Sequence, residues 1–154
     1  MLTLAFTARA AAGPRFVSRV LTDSALATCW LPGFDGWREA PPSQLSPNNM
    51  LRFRAKQNGV PVHGELRVLD MTPGRLRAQV RLGLLDFTAS FSISPATDDA
   101  NATRVGLAVT LENEVPVVGG SLDRFSVREQ ASQIAESMLG ALSAAAVKLR
   151  GAPA

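Results

Sequence analysis

Residues 75–94 read RLRAQVRLGLLDFTASFSIS. Apolar Leu76, Ala78, Val80 and Leu82 alternate with Arg75, Arg77, Gln79 and Arg81, and Phe87, Ala89, Phe91 and Ile93 then alternate with Asp86, Thr88, Ser90, Ser92 and Ser94. Successive side chains of a strand point to opposite faces, so a strict period of two marks a strand with one dry face and one wet face. Strands of a parallel sheet are buried on both sides and read as unbroken apolar runs, which these do not. The stretch therefore belongs to an antiparallel sheet with one side in water, and something else in the chain must cover the other side.

The same period extends outward in both directions. Leu51, Phe53 and Ala55 alternate with Arg52, Arg54 and Lys56, and Asn58-Gly59 supplies a hairpin turn. Val60, Val62, Leu66 and Val68 form the next apolar face, with a bulge or bend expected at Gly64, and Pro73-Gly74 turns the chain again. Beyond a polar loop from Pro95 to Ala102, Val105, Leu107, Val109 and Leu111 face away from Arg104, Gly106, Ala108, Thr110 and Glu112. Leu2, Leu4 and Phe6 make residues 2–7 a first strand, although Ala8-Arg9-Ala10 superficially resembles a signal-peptide cleavage site.

The covering layer comes from helical periods. Pro14 suits the first position of a helix that carries Phe16, Val17, Val20 and Leu21. Asp23 caps a second short helix bearing Leu26, Ala27, Trp30 and Leu31, which Pro32-Gly33 ends. Residues 34–48 read as irregular, with one strand near Trp37. Pro116 ends the sheet and Gly119-Gly120 form a joint. A long helix then runs to about Arg150 with Leu122, Phe125, Ile134, Met138, Leu142, Ala145 and Leu149 along one stripe. A capping box at Ser126 and Glu129 offers an alternative start near residue 127. Residues 1–150 form a single domain and 151–154 a frayed tail.

Composition narrows the chemistry. The 154 residues are 46% apolar and 19% charged, with one Cys, one His, no Tyr and a net charge of +3. One Cys makes no intrachain disulfide, and one Cys with one His falls short of a structural zinc site, so no metal is expected. Only Lys56 and Lys148 of the 16 basic residues are lysines. So mild a net charge disfavours nucleic acid as a partner. No run approaches the eighteen or so apolar residues of a membrane span, and the cytoplasm is the expected location.

The order of elements, one strand, two short helices, then strands and a terminal helix, resembles the helix-grip fold of the START-like (SRPBCC, Bet v 1-like, polyketide cyclase/dehydrase) superfamily. The resemblance implies an α+β fold in which a curved antiparallel sheet of about six to seven strands wraps around the long C-terminal helix. Leu21-Thr22-Asp23, then Leu26, Cys29 and Leu31-Pro32-Gly33, is similar to a segment of the CoxG-like group, the carbon monoxide dehydrogenase branch of that superfamily, as are Gly64 to Asp70 and Gly119-Gly120. The chain departs from that group by placing two residues, Trp30 and Leu31, between the Cys and the Pro-Gly. The superfamily shares a cavity between helix and sheet but hosts carriers, cyclases and adaptors, so fold alone does not give function.

What would line such a cavity is read from phase. Phe53, Val80, Phe87, Phe91 and Val109 from the sheet, Ile134, Met138 and Leu142 from the helix, and Trp30 and Trp37 as a lid form the candidate ligand wall, with Asn113 the one polar member. The alternative is a solid core in which both tryptophans anchor the short helices. Met50 and Met71 are either adaptable lining or gap fillers. Cys29, lacking a nearby base or cation, reads as an inert buried thiol. His63 falls on the wet face unless Gly64 shifts the register, in which case it becomes the sole candidate acid or base. Asp70 is inward by parity but adjoins a turn that it would cap. Arg52, Arg54, Lys56, Arg67, Arg75, Arg77 and Arg81 share the wet face, relieved by Glu65, Asp86 and Glu112.

Three readings follow. The first is non-catalytic binding or carriage of a small hydrophobic ligand, such as a lipid, quinone or polyketide-like molecule, with no cofactor and a transient membrane or protein partner. The second is a polyketide cyclase or dehydratase, which requires His63, Asp70 or Asn113 to point inward. The third is an adaptor that binds anionic membrane or RNA through the arginine face. Oligomeric state, monomer or homodimer, stays open.

Overall fold

The computed structural model of the chain describes residues 2–57, 59–83, 85–111 and 124–151. The N-terminal alternation makes β1 (Leu2–Ala10), which pairs along its length with β7 (Thr103–Leu111), from Leu2 opposite Leu111 to Ala10 opposite Thr103. Between them in sequence lie α1 (Pro14–Thr22), α2 (Ser24–Ala27), β2 (Phe34–Trp37), β3 (Met50–Gln57), β4 (Val60–Thr72), β5 (Arg75–Leu82) and β6 (Leu85–Pro95), and α3 (Arg124–Arg150) closes the chain. The sheet order is β1-β7-β6-β5-β4-β3-β2, antiparallel throughout. This is the α+β helix-grip arrangement, a curved sheet with its helices.

Periodicity places the faces as expected. Every apolar residue of the Arg75–Ser94 alternation is buried except Ile93, which is half-buried near the strand end. Of the α3 stripe, Met138 and Leu142 are buried while Ile134, Ala145 and Leu149 are half-buried. Ala131, Ala135, Leu139 and Ala146 complete the buried side, so it is rotated from the expected stripe toward small residues. α3 packs against α1, β1 and β7, where alanines let the backbones approach. The helix begins at Arg124, ahead of the alternative start near residue 127. Leu122, Glu112, Asn113, Pro116 and the Gly119-Gly120 joint lie outside the described residues, as does the side chain of Phe125.

The short helices follow their caps. Pro14 is the first residue of α1, and Val17, Val20 and Leu21 are buried. Asp23 ends α1, and its Oδ1 accepts the Ala25 N–H at 2.9 Å to start α2. α2 stops at Ala27, earlier than expected, and Trp30 and Leu31 are buried from the turn beyond it. The region 38–48 is tied down by backbone bonds: Ser24 N–H donates to the Ser43 carbonyl at 3.1 Å and Leu45 N–H to the Thr22 carbonyl at 2.7 Å. Leu45 is thereby carried into the core, which turn-forming composition does not reveal.

Two expectations on β4 are corrected. Gly64 makes no bulge: pairing with β3 runs unbroken through it, with Phe53 opposite Gly64. It is glycine because the Phe53 ring lies over it, and a Cβ there would come within 2.6 Å of ring atoms Cδ2 and Cζ. The irregularity falls instead between Val68 and Asp70, where one extra residue, Leu69, shifts the register with β5. A one-residue slip reverses the faces, so Asp70 turns outward rather than inward. There it accepts from Arg77 Nε at 2.8 Å instead of capping the turn.

Candidate functional site

The dry face of the sheet and α3 bring the predicted wall together. Phe53, Val80, Phe87, Phe91, Val109, Met138 and Leu142 are all buried, and Ile134 is half-buried beside them. Trp30 is 1% exposed and meets Phe91 edge to face, with ring centroids 5.2 Å apart. It is therefore a core anchor and not an exposed lid. Trp37 is half-buried at the sheet edge, 5.0 Å from the Phe34 ring and 6.1 Å from that of Phe53. Asn113 lies outside the described residues. Met138 belongs to this wall, Met71 is half-buried, and Met50 is 53% exposed and so lines nothing inside.

Apolar side chains dominate the interior, and the buried polar side chains are engaged. Thr103 donates to the Ala12 carbonyl at 2.6 Å, Ser24 donates to the carbonyls of Pro42 and Ser43, and Asp86 accepts from Gln79 and Arg81. Trp30 Nε1 is the exception: among the described residues this buried donor has no acceptor. An unsatisfied buried donor costs about 1–3 kcal/mol. No sequence pattern announces it, because the indole is brought to Phe91 by the tertiary fold.

Behind Trp30, a depression of about 350 Å³ runs from Thr28 to Asp35, with Lys56 and Ser137 across it. Gly33 shapes it: its φ is +67°, and a Cβ there would strike the Lys56 carbonyl. Gly33 and Lys56 are joined instead by the Lys56 N–H to Gly33 carbonyl bond of 2.9 Å. Cys29 opens onto this depression and is exposed, which corrects the expected buried thiol. Its surroundings still withhold enough water to push the thiol up to about 11, and the exposed position does not make it a ready nucleophile.

On the wet face all seven expected cations are exposed. Arg52 pairs with Glu39 at 2.6 Å, Arg77 with Asp70, Arg81 with Asp86 at 3.3 Å and Glu65 at 3.7 Å, and Lys56 loosely with Asp35 at 3.9 Å. These pairs are solvent-exposed for the most part and contribute about 0–1 kcal/mol each. Arg54, Arg67 and Arg75 have no carboxylate partner among the described residues. His63 is exposed on this face, with its Nδ1 3.0 Å from Arg38 Nη1. Arg38 stands in an aperiodic stretch, so no pattern in the sequence singles it out.

No protein-family model matches the sequence, and no curated protein matches it. Solved structures do. A START superfamily protein from Mycobacterium smegmatis superposes with a TM-score of 0.73 at 18% identity, covering 96% of this chain and 98% of that one. A Thermus thermophilus protein gives 0.69 at 21% identity, covering 96% and 99%. The ZhuI aromatase/cyclase from a Streptomyces strain gives 0.64 at 16% identity, covering 96% and 94%. The chain shares their fold over nearly its whole length.

Proposed function

We propose that the protein binds and carries a small hydrophobic ligand between the dry face of its sheet and α3, without transforming it. The observation that carries this reading is the composition of the wall among the described residues: aromatic and aliphatic side chains, with the Trp30 indole N–H as the one unpaired polar group. Such a wall holds an apolar body by desolvation, about 0.8 kcal/mol per methylene, and offers a single donor to one carbonyl or ether oxygen. Lipids and quinones fit that description, and they are the ligand classes suggested by the likeness to the CoxG-like group. Trp37, half-buried at the rim, is positioned to gate access. The cytoplasm is the proposed place of action; no helix of the described residues is long and apolar enough to cross a membrane.

The cyclase reading asks for an acid or base inside the wall. His63 and Asp70 both point outward, and Asp70 is occupied by Arg77, while Asn113, the third candidate, lies outside the described residues. The outward turn of both residues favours carriage over catalysis. Native mass spectrometry of gently purified protein, followed by solvent extraction, tests the proposal. It predicts a co-purified apolar molecule, or saturable uptake of an apolar fluorescent probe by emptied protein; bare protein that takes up no probe contradicts it.

A further inference from the structure

The wet face carries a depression lined by basic side chains, unlike the apolar dry face. Arg54 and Lys56 alternate outward on β3, and the register sets them opposite His63 and Pro61 of β4. Arg38, just after β2, reaches over from the neighbouring edge. These four basic side chains, with Asp35, line one depression of about 280 Å³.

A guanidinium has no acceptor, so in the 3.0 Å contact between Arg38 Nη1 and His63 Nδ1 the imidazole lone pair accepts. An imidazole that accepts at Nδ1 carries its proton on Nε2, which is then an N–H donor on the other side of the ring. Lys56 is offset by Asp35 at 3.9 Å. Arg38 and Arg54 have no carboxylate partner among the described residues and leave a local charge of +2.

We propose that the depression bounded by Arg38, Arg54, Lys56 and His63 is a binding site for a phosphate monoester group. A phosphate monoester carries about −1.5 to −2 charges at pH 7 and three acceptor oxygens. Two guanidinium forks and one imidazole N–H match that number of oxygens, and the +2 charge matches that valence; a carboxylate would fill only part of the donor set. The volume is slightly below the roughly 300–1,000 Å³ of sites for drug-sized molecules, which suits a single charged head group. The site is independent of ligand carriage on the opposite face, and either can fail without the other.

Two sources share this chemistry, a phosphatidic acid head group in a membrane and a soluble phosphate ester. The test follows the His63 imidazole by NMR while the whole protein is titrated with inorganic phosphate, and measures sedimentation with phosphatidylcholine vesicles with and without phosphatidic acid. The proposal predicts a saturable His63 shift with phosphate, or binding only to the vesicles that contain phosphatidic acid. Vesicle binding assigns the lipid source, and a phosphate shift without it assigns the soluble one. Arg38→Gln and Arg54→Gln, both at exposed positions, each weaken binding about tenfold or more. Arg75→Gln, on the same face outside the depression, leaves it unchanged. Binding to neither probe overturns the proposal, and so does a loss in Arg75→Gln equal to that in Arg54→Gln, which would make the effect one of diffuse charge.

Discussion

Substituting Gly64 by alanine tests the packing that holds the inner wall in place. The new Cβ would come within 2.6 Å of Phe53 Cδ2 and Cζ, and closer still to Cε2, well inside van der Waals contact. The ring has little room to yield: it is fully buried, with the rings of Phe34 and Trp37 at 5.6 and 6.1 Å. Forcing a methyl into a filled core costs about 1–3 kcal/mol. Because the φ of Gly64 lies outside the left-handed region, alanine also restricts the unfolded chain and returns about 0.4–1 kcal/mol. The net expected loss is centred near ~1.3 kcal/mol, a fall in Tm of roughly 3–5 °C for a chain of this size. Urea and thermal denaturation read both quantities, and Phe53→Leu in the Gly64→Ala background supplies the check. If the clash is the cause, the double variant is more stable than the sum of the two single losses by about 1 kcal/mol. A Gly64→Ala protein as stable as the parent, or strict additivity with Phe53→Leu, refutes the reasoning.

Other outcomes are checked in the same way. Gly140→Ala, in exposed helix with open space around the added methyl, raises stability by about 0.5–1 kcal/mol in the same denaturation assay. Asp23→Ala removes the cap that starts α2 and lowers stability by about 0.5–2 kcal/mol. Alkylation of Cys29 by iodoacetamide is slow at pH 8 and accelerates toward the thiol value of about 11, because its partly dehydrated surroundings favour the neutral form. That shift also has a sign for stability: with the folded value above the unfolded one, its contribution is full below about pH 9 and is lost as pH rises through about 11. In a homologous series of alkyl ligands, affinity rises roughly fourfold per methylene until the wall is filled, as read by probe displacement.

Much of this architecture is legible in residues whose local rules agree with the fold. The alternation from Arg75 to Ser94 assigns both faces of two strands, and Pro14 and Asp23 mark where α1 and α2 begin. The two corrections on β4 share one cause. Parity holds only along a regular strand and fails past Leu69, where the apolar positions 68, 69 and 71 already show the phase changing; the bulge belongs there and not at Gly64, whose missing side chain makes room for Phe53. Leu45 is hidden from a sequence reading because its burial depends on hydrogen bonds from a loop to the α1–α2 junction. The candidate wall is legible from phase alone for Phe53, Val80, Phe87, Phe91 and Val109. The orphan indole of Trp30 and the approach of Arg38 to His63 are not, since each joins residues far apart in sequence across the fold.

Quenching of Trp30 fluorescence by a brominated alkyl ligand, in a Trp37→Phe background that leaves one indole, tests the central claim most directly. Bromine quenches only at contact range, and Trp30 sits with Phe91 inside the wall, shielded from water. Ligand carriage between sheet and α3 predicts saturable quenching that an unbrominated analogue reverses by competition. Emission from Trp30 that stays unchanged up to the solubility limit of the brominated ligand would contradict it.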